Sequence, residues 1–245
     1  MTYCLGMLLD EGLLVASDSR TNAGVDHIAT FAKMHIFEEA GERLIVMMNS
    51  GNLATTQSVI SLLRMRTQLK DEESILTVKT LYEVAELVGE TVREVVNRDS
   101  DGHLSASNVD YGCSFIVAGQ IKGEEPRLFN IYPQGNFIEA TKDTMYFQIG
   151  ESKYGKPIID RVIRRDTPLA VAAKCALISF DSTIKSNLSV GLPIDMLLYR
   201  TDSFAKAIPH RIDAEDPYFR RIRQDWGKGL RQVFSKLPDA SWFDE

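Results

Sequence analysis

Residues 2–20 read TYCLGMLLDEGLLVASDSR. Two short apolar runs, 3–9 and 12–17, are separated only by Asp10 and Glu11, with Gly12 opening the second. A connection that short predicts two strands paired antiparallel as a hairpin. The pattern begins directly after Thr2, so a threonine stands at the head of a buried strand. Asp18, Ser19 and Arg20 follow the second run.

The same reading extends along the chain. KMHIF (33–37) and RLIVMMN (43–49) are two further strands joined through EEAGE. Ser50-Gly51 then precedes a helical stretch whose apolar residues include Leu53, Val59, Ile60, Leu62 and Leu63. A second helix is predicted over about 77–98, where Leu81, Val84, Ala85, Val88, Val92, Val95 and Val96 recur at helical spacing. Residues 98–108 are a polar loop. Strands are expected again at 111–121, 127–133, 136–140 and 145–150, and helices at 152–163 and 168–186. Strands at 194–200 and 205–212 and a helix at 216–237 complete the series.

Strands come in runs and helices in pairs, which predicts antiparallel sheets with helices outside rather than an alternating parallel sheet. The fold expected is an α+β four-layer α-β-β-α sandwich of two antiparallel sheets. No linker or composition break divides the chain, so 1–245 is read as one domain.

Composition narrows the functional classes. Hydrophobic residues are 44% and charged residues 25%, enough apolar material for a full core. The net charge of −6 argues against a nucleic-acid partner. No secretory leader and no run of eighteen apolar residues is read, so neither a membrane nor export is expected, and a cytoplasmic location is. Cys4, Cys113 and Cys175 have neither disulfide-framework nor zinc spacing and read as buried free thiols. His27, His35, His103 and His210 stand alone, and no glycine-rich phosphate loop occurs, so no cofactor or metal is expected.

Two nucleophiles compete. GESKYG (150–155) places Ser152 between a strand and a helix, with Asp195, Asp202 and His210 downstream in triad order. The glycine of a serine elbow should stand two residues after the serine, and here it is Gly155. Thr2 is the alternative. A small second residue favours removal of Met1, leaving an α-amine beside the threonine hydroxyl. That amine has an ordinary pKa of about 7.7–8.0, so nucleophile and candidate base share one residue. A lysine entering an apolar strand, Lys33, needs a carboxylate partner, and Asp18 is available. Ser50-Gly51, at a strand end before a helix, is a natural oxyanion position.

The threonine-first strand, the Asp-x-Arg after the second strand, Lys33 and the Ser-Gly before the first long helix resemble proteasome β-type subunits. TYCLGMLLDEGLLVASDSRTNAGVDHIATFAKMHIF and ISFDSTIKSNLSVG are similar to the Anbu, or ancestral β-subunit, family over essentially the whole chain. The resemblance implies an Ntn-hydrolase fold and a threonine-type peptidase or amidohydrolase. It implies Thr2 as nucleophile, Asp18 as partner of Lys33, and Lys33 as promoter of proton loss from the hydroxyl. Gly51 would supply the oxyanion N–H, with Ser152 and Ser189 as supporting serines. One departure stands out: the family pattern has an aspartate three residues before that last serine, and this chain has Ser186, with Asp181 out of register. The resemblance further implies a peptide or amide substrate and self-association into a ring-like or open-ring homo-oligomer; it names no ATPase partner. The alternatives are a catalytically weak or inactive assembly subunit, or a narrow amidase. The basic last helix reads as a solvated face.

Overall fold

The computed structural model describes residues 2–22, 28–69, 72–100 and 110–243. Among these described residues the strands are β1 (Tyr3–Leu9), β2 (Gly12–Asp18), β3 (Arg20–Asn22), β4 (Ile28–Thr30), β5 (Met34–Glu39), β6 (Arg43–Gly51), β7 (Cys113–Ile121), β8 (Arg127–Ile131), β9 (Phe137–Glu139), β10 (Tyr146–Gly150), β11 (Ile194–Arg200) and β12 (His210–Ile212). The helices are α1 (Leu53–Arg66), α2 (Leu81–Ser100), α3 (Lys156–Val162), α4 (Leu169–Ser186) and α5 (Pro217–Phe234).

Two five-stranded sheets carry the architecture, in the orders β10-β1-β2-β11-β12 and β5-β6-β7-β8-β9. The described pairings within both are antiparallel. The opening hairpin has the register Leu9 opposite Gly12 and Cys4 opposite Ser17.

Period-two alternation sorts the strand residues into layers. Tyr3, Leu5, Met7 and Leu9 face α3, α4 and α5, packing on Ile159, Phe180 and Phe219. Cys4 and Leu8 face the other way, into a core between the sheets with Val46, Met48, Ile116 and Leu128. Ile45 and Met47 turn outward again to α1 and α2. The result is the four-layer α-β-β-α sandwich expected from the sequence. Both faces of the inner strands are covered, which is why β1 and β2 are buried along their whole length. Each fully buried aliphatic or aromatic side chain stabilises the fold by about 1.5–3 kcal/mol.

Local chemistry sets the helix starts. Asn52 accepts hydrogen bonds from the Ala54 and Thr55 N–H groups and caps α1. Asp216 does the same for α5 through Phe219, with Pro217 at the first helical position. The third helix is shorter than the sequence suggests: residues 152–155 form a turn and the helix begins at Lys156. The strand expected over 205–212 is confined to His210–Ile212. The short β3–β4 ribbon was not anticipated. The second helix is displaced a few residues from its expected 77–98 span, and most of the loop at 98–108, with His103, falls outside the described residues, as does His27. No helix of the described residues is long and apolar enough to cross a membrane.

Candidate active site

Asp18 closes β2 and is fully buried. A carboxylate there would be costly without partners, and it has three. Its Oδ1 accepts from the Tyr3 main-chain N–H at 3.0 Å and from Lys33 Nζ at 2.7 Å, and its Oδ2 accepts from the Gly191 N–H at 3.2 Å. Burial pushes the Asp18 carboxyl above the ordinary range, while the Lys33 charge and hydrogen bond and the two N–H groups pull it back. Lys33, 3% exposed, also donates to the Arg20 carbonyl at 2.5 Å. Asp18 thereby joins the first residues of β1, the residue before β5 and the turn after α4.

Thr2 is buried at the head of β1. Its carbonyl accepts from the Glu151 N–H at 2.7 Å, which sets it beside the turn bearing Ser152. Ser152 is half-buried; its N–H donates to the Gly150 carbonyl at 3.0 Å and its carbonyl accepts from Lys156 N–H at 3.1 Å. Gly51 ends β6 at the same end of the sandwich, two residues beyond Asn49, whose N–H donates to the Lys33 carbonyl at 3.1 Å. The Asn52 cap takes the Ala54 and Thr55 N–H groups, so α1 does not present those two as free donors.

The 187–191 turn is fixed by several bonds. Ser189 N–H donates to Asn187 Oδ1 at 2.9 Å, the Arg20 guanidinium donates to the Leu188 carbonyl at 3.0 Å, and Gly191 meets Asp18. Gly191 lies flat under Arg20; a Cβ there would stand 2.3 Å from the guanidinium carbon. Nothing in the sequence signals Gly191 or the Arg20 carbonyl as partners of the charge pair, because both act through the main chain. Ser186 is the last residue of α4 and is exposed. Asp181, 1% exposed, is turned toward α5, where Arg223 stands at 2.6 Å, with Lys185 at 3.1 Å.

The serine-elbow arrangement is not formed. Ser152 follows β10 and His210 lies on β12, the opposite edges of one five-stranded sheet. Four strand spacings separate these edges, roughly 19 Å. His210 is exposed, 3.6 Å from Asp216, and Asp195 is paired with Arg211 at 3.1 Å.

A threonine-headed strand, a lysine and a carboxylate thus share one end of a four-layer sandwich. The sequence profile of the proteasome subunit family matches residues 2–196. The chain is also similar to the solved structure of Anbu, the ancestral β-subunit, from Yersinia bercovieri, at 57% identity and a TM-score of 0.92, covering 98% of this chain and 99% of that one. The chain belongs to the Anbu branch of the proteasome subunit family. The Anbu complex of Pseudomonas aeruginosa, solved as a helical assembly, is 55% identical with a TM-score of 0.93, over 97% of this chain and 98% of that one. Anbu from Hyphomicrobium sp. strain MC1 is 48% identical with a TM-score of 0.89, over 98% and 99%. The search of curated proteins found no match.

Proposed function

We propose that this Anbu protein is an N-terminal-threonine hydrolase that cleaves peptide or amide bonds within a ring-like or open-ring homo-oligomer. The observation that carries the reading is the shared Asp18 carboxylate, which ties the main chain one residue after Thr2 to a buried Lys33. With Met1 removed, the Thr2 α-amine takes the hydroxyl proton, aided by the Lys33 charge, and Oγ attacks the substrate carbonyl. The Gly51 N–H stabilises the oxyanion. The C–N bond breaks, the proton passes to the leaving amine, and an ester to Thr2 remains. Water then adds to the ester and releases the acid. Ser152 and Ser189 support the amine, and residues 1–245 act as one catalytic domain. A cytoplasmic location suits three buried, unpaired thiols. Self-association through a head-to-tail interface gives a closed ring or an open helix according to the rotation between neighbours.

A second reading, a catalytically weak assembly subunit, has one observation in its favour: no carboxylate stands at Ser186, and Asp181 is committed to Arg223 and Lys185. One experiment separates the two. Purified protein is treated with a threonine-directed electrophile, its intact mass is measured and the adduct is mapped. The hydrolase reading expects Met1 to be absent and the adduct to sit on Thr2, with no labelling in Thr2→Ala. Full peptidase activity in protein that retains Met1, or turnover that survives Thr2→Ala, refutes it. Thr2 that labels without peptide turnover favours the assembly subunit.

A further inference from the structure

We infer that Tyr3 is a positioning residue for Thr2, its hydroxyl holding the Ser152 turn in place; this rests on the threonine-hydrolase reading above. The Tyr3 side chain is fully buried, with its ring 4.5 Å from that of Phe180. A phenylalanine would fill that space equally well, so packing does not explain the hydroxyl. A buried hydroxyl is costly unless paired, and this one has two partners. Gln148 Nε2 donates to it at 2.6 Å, and it shares a hydrogen bond with Ser179 Oγ, also at 2.6 Å.

Both partners belong to the frame of the Ser152 turn. Gln148 lies on β10, two residues before Gly150, where that turn begins. Ser179 Oγ lies 2.0 Å from the place where a Cβ of Gly155 would stand, and the Tyr3 hydroxyl lies 2.8 Å from it. The far end of the turn is therefore seated directly on this hydrogen-bonded pair. At the near end the Glu151 N–H donates to the Thr2 carbonyl. The main-chain N–H of Tyr3 binds the Asp18 carboxylate that holds Lys33. One residue thus grips the charge pair with its backbone and the serine turn with its side chain, a single peptide bond from the nucleophile. It touches no reacting atom; its effect runs through the relative placement of Thr2 and Ser152.

The test measures labelling of Thr2 by the electrophile, as maximal rate and half-saturating concentration, together with the thermal midpoint. Tyr3→Phe is expected to lower the maximal rate roughly 10-fold, a hydrogen bond's worth of positioning, and to leave the half-saturating concentration unchanged. The double variant Tyr3→Phe/Ser179→Ala removes one orphaned polar partner; it is expected to regain the thermal midpoint and keep the slow rate. Recovery of rate and midpoint together means that Tyr3 serves stability alone and overturns the proposal. Wild-type labelling in Tyr3→Phe overturns it too. Gln148→Leu, on a half-exposed edge strand, gives the same reading if Tyr3→Phe does not fold: a slowed rate supports the proposal and an unchanged rate ends it. A wild-type protein that does not label at Thr2 overturns the hydrolase reading and this proposal together, whereas loss confined to the variants separates them.

Discussion

Gly150 lies so close to Thr2 that a Cβ on it would stand 1.9 Å from the Thr2 carbonyl oxygen. Its φ of +81° is also one that side chains rarely adopt. Gly150→Ala is expected to destabilise the fold by about 2 kcal/mol or more and to displace the head of β1. Gly41, at φ +80° with open space around it, is the control: Gly41→Ala carries the backbone cost alone, about 1–2 kcal/mol. Denaturant midpoints of the two variants, with Thr2 labelling alongside, check this; equal losses and intact labelling in both contradict it.

The Asp18–Lys33 pair should behave as a unit. Lys33→Met strands a buried carboxylate and is expected to cost about 3–5 kcal/mol. Asp18→Asn/Lys33→Met removes both charges and should recover most of that stability, yet no activity. Burial raises the Asp18 pKa, so without Lys33 the fold prefers the protonated acid. The stability of Lys33→Met should then be greatest below the ordinary carboxylate pKa of 3.8 and fall as pH rises through the raised value. Thermal unfolding across acidic pH measures it; a flat profile is the contrary result.

His35, on β5, is held near neutrality by burial, 2.9 Å from Asn49 Oδ1. Its pKa is lowered from 6.5, so its contribution is complete above 6.5 and is lost as pH falls through the lowered value. The wild-type thermal midpoint should drop across that window, and His35→Gln should flatten the drop. An identical pH slope in both proteins would falsify the assignment.

Arg223→Ala should loosen α5, since Arg223 is the cation that α5 offers to the buried Asp181. A loss of roughly 1–3 kcal/mol is expected, because the exposed Lys185 remains as a partial partner. Limited proteolysis within 217–234 reads the loosening directly; unchanged protection of that helix is the opposing outcome.

Much of this molecule is legible in its sequence, for definite reasons. Tyr3–Leu9 matches its apolar run to the residue, because Asp10 and Glu11 end it and both faces are buried, and Ile194–Arg200 matches too although Leu198 and Arg200 are exposed. The β3–β4 ribbon is not legible, since three-residue strands carry no period. At 205–209 the apolar run misleads. Gln120, fully buried, bonds both the side chain and the N–H of Asp202 and draws the preceding turn toward the second sheet, while Pro209 cannot donate to a ladder. Lys33 and Asp18 could be paired from the sequence because a buried cation demands an anion. The main-chain partners of that pair, at Tyr3, Arg20 and Gly191, could not, since an N–H or carbonyl is present at almost every residue and only the fold selects which ones meet.

The Asp18 carboxylate has its N–H partners at residues 3 and 191, 173 positions separating Asp18 from the second. A chain emerging from the ribosome reaches residue 191 late, after both strands of the opening hairpin, Lys33 and all five strands of the second sheet have been made. Until then one oxygen of that carboxylate lacks its main-chain partner. A growing chain of this design therefore cannot complete the constellation around its own first residues until residue 191 has been made.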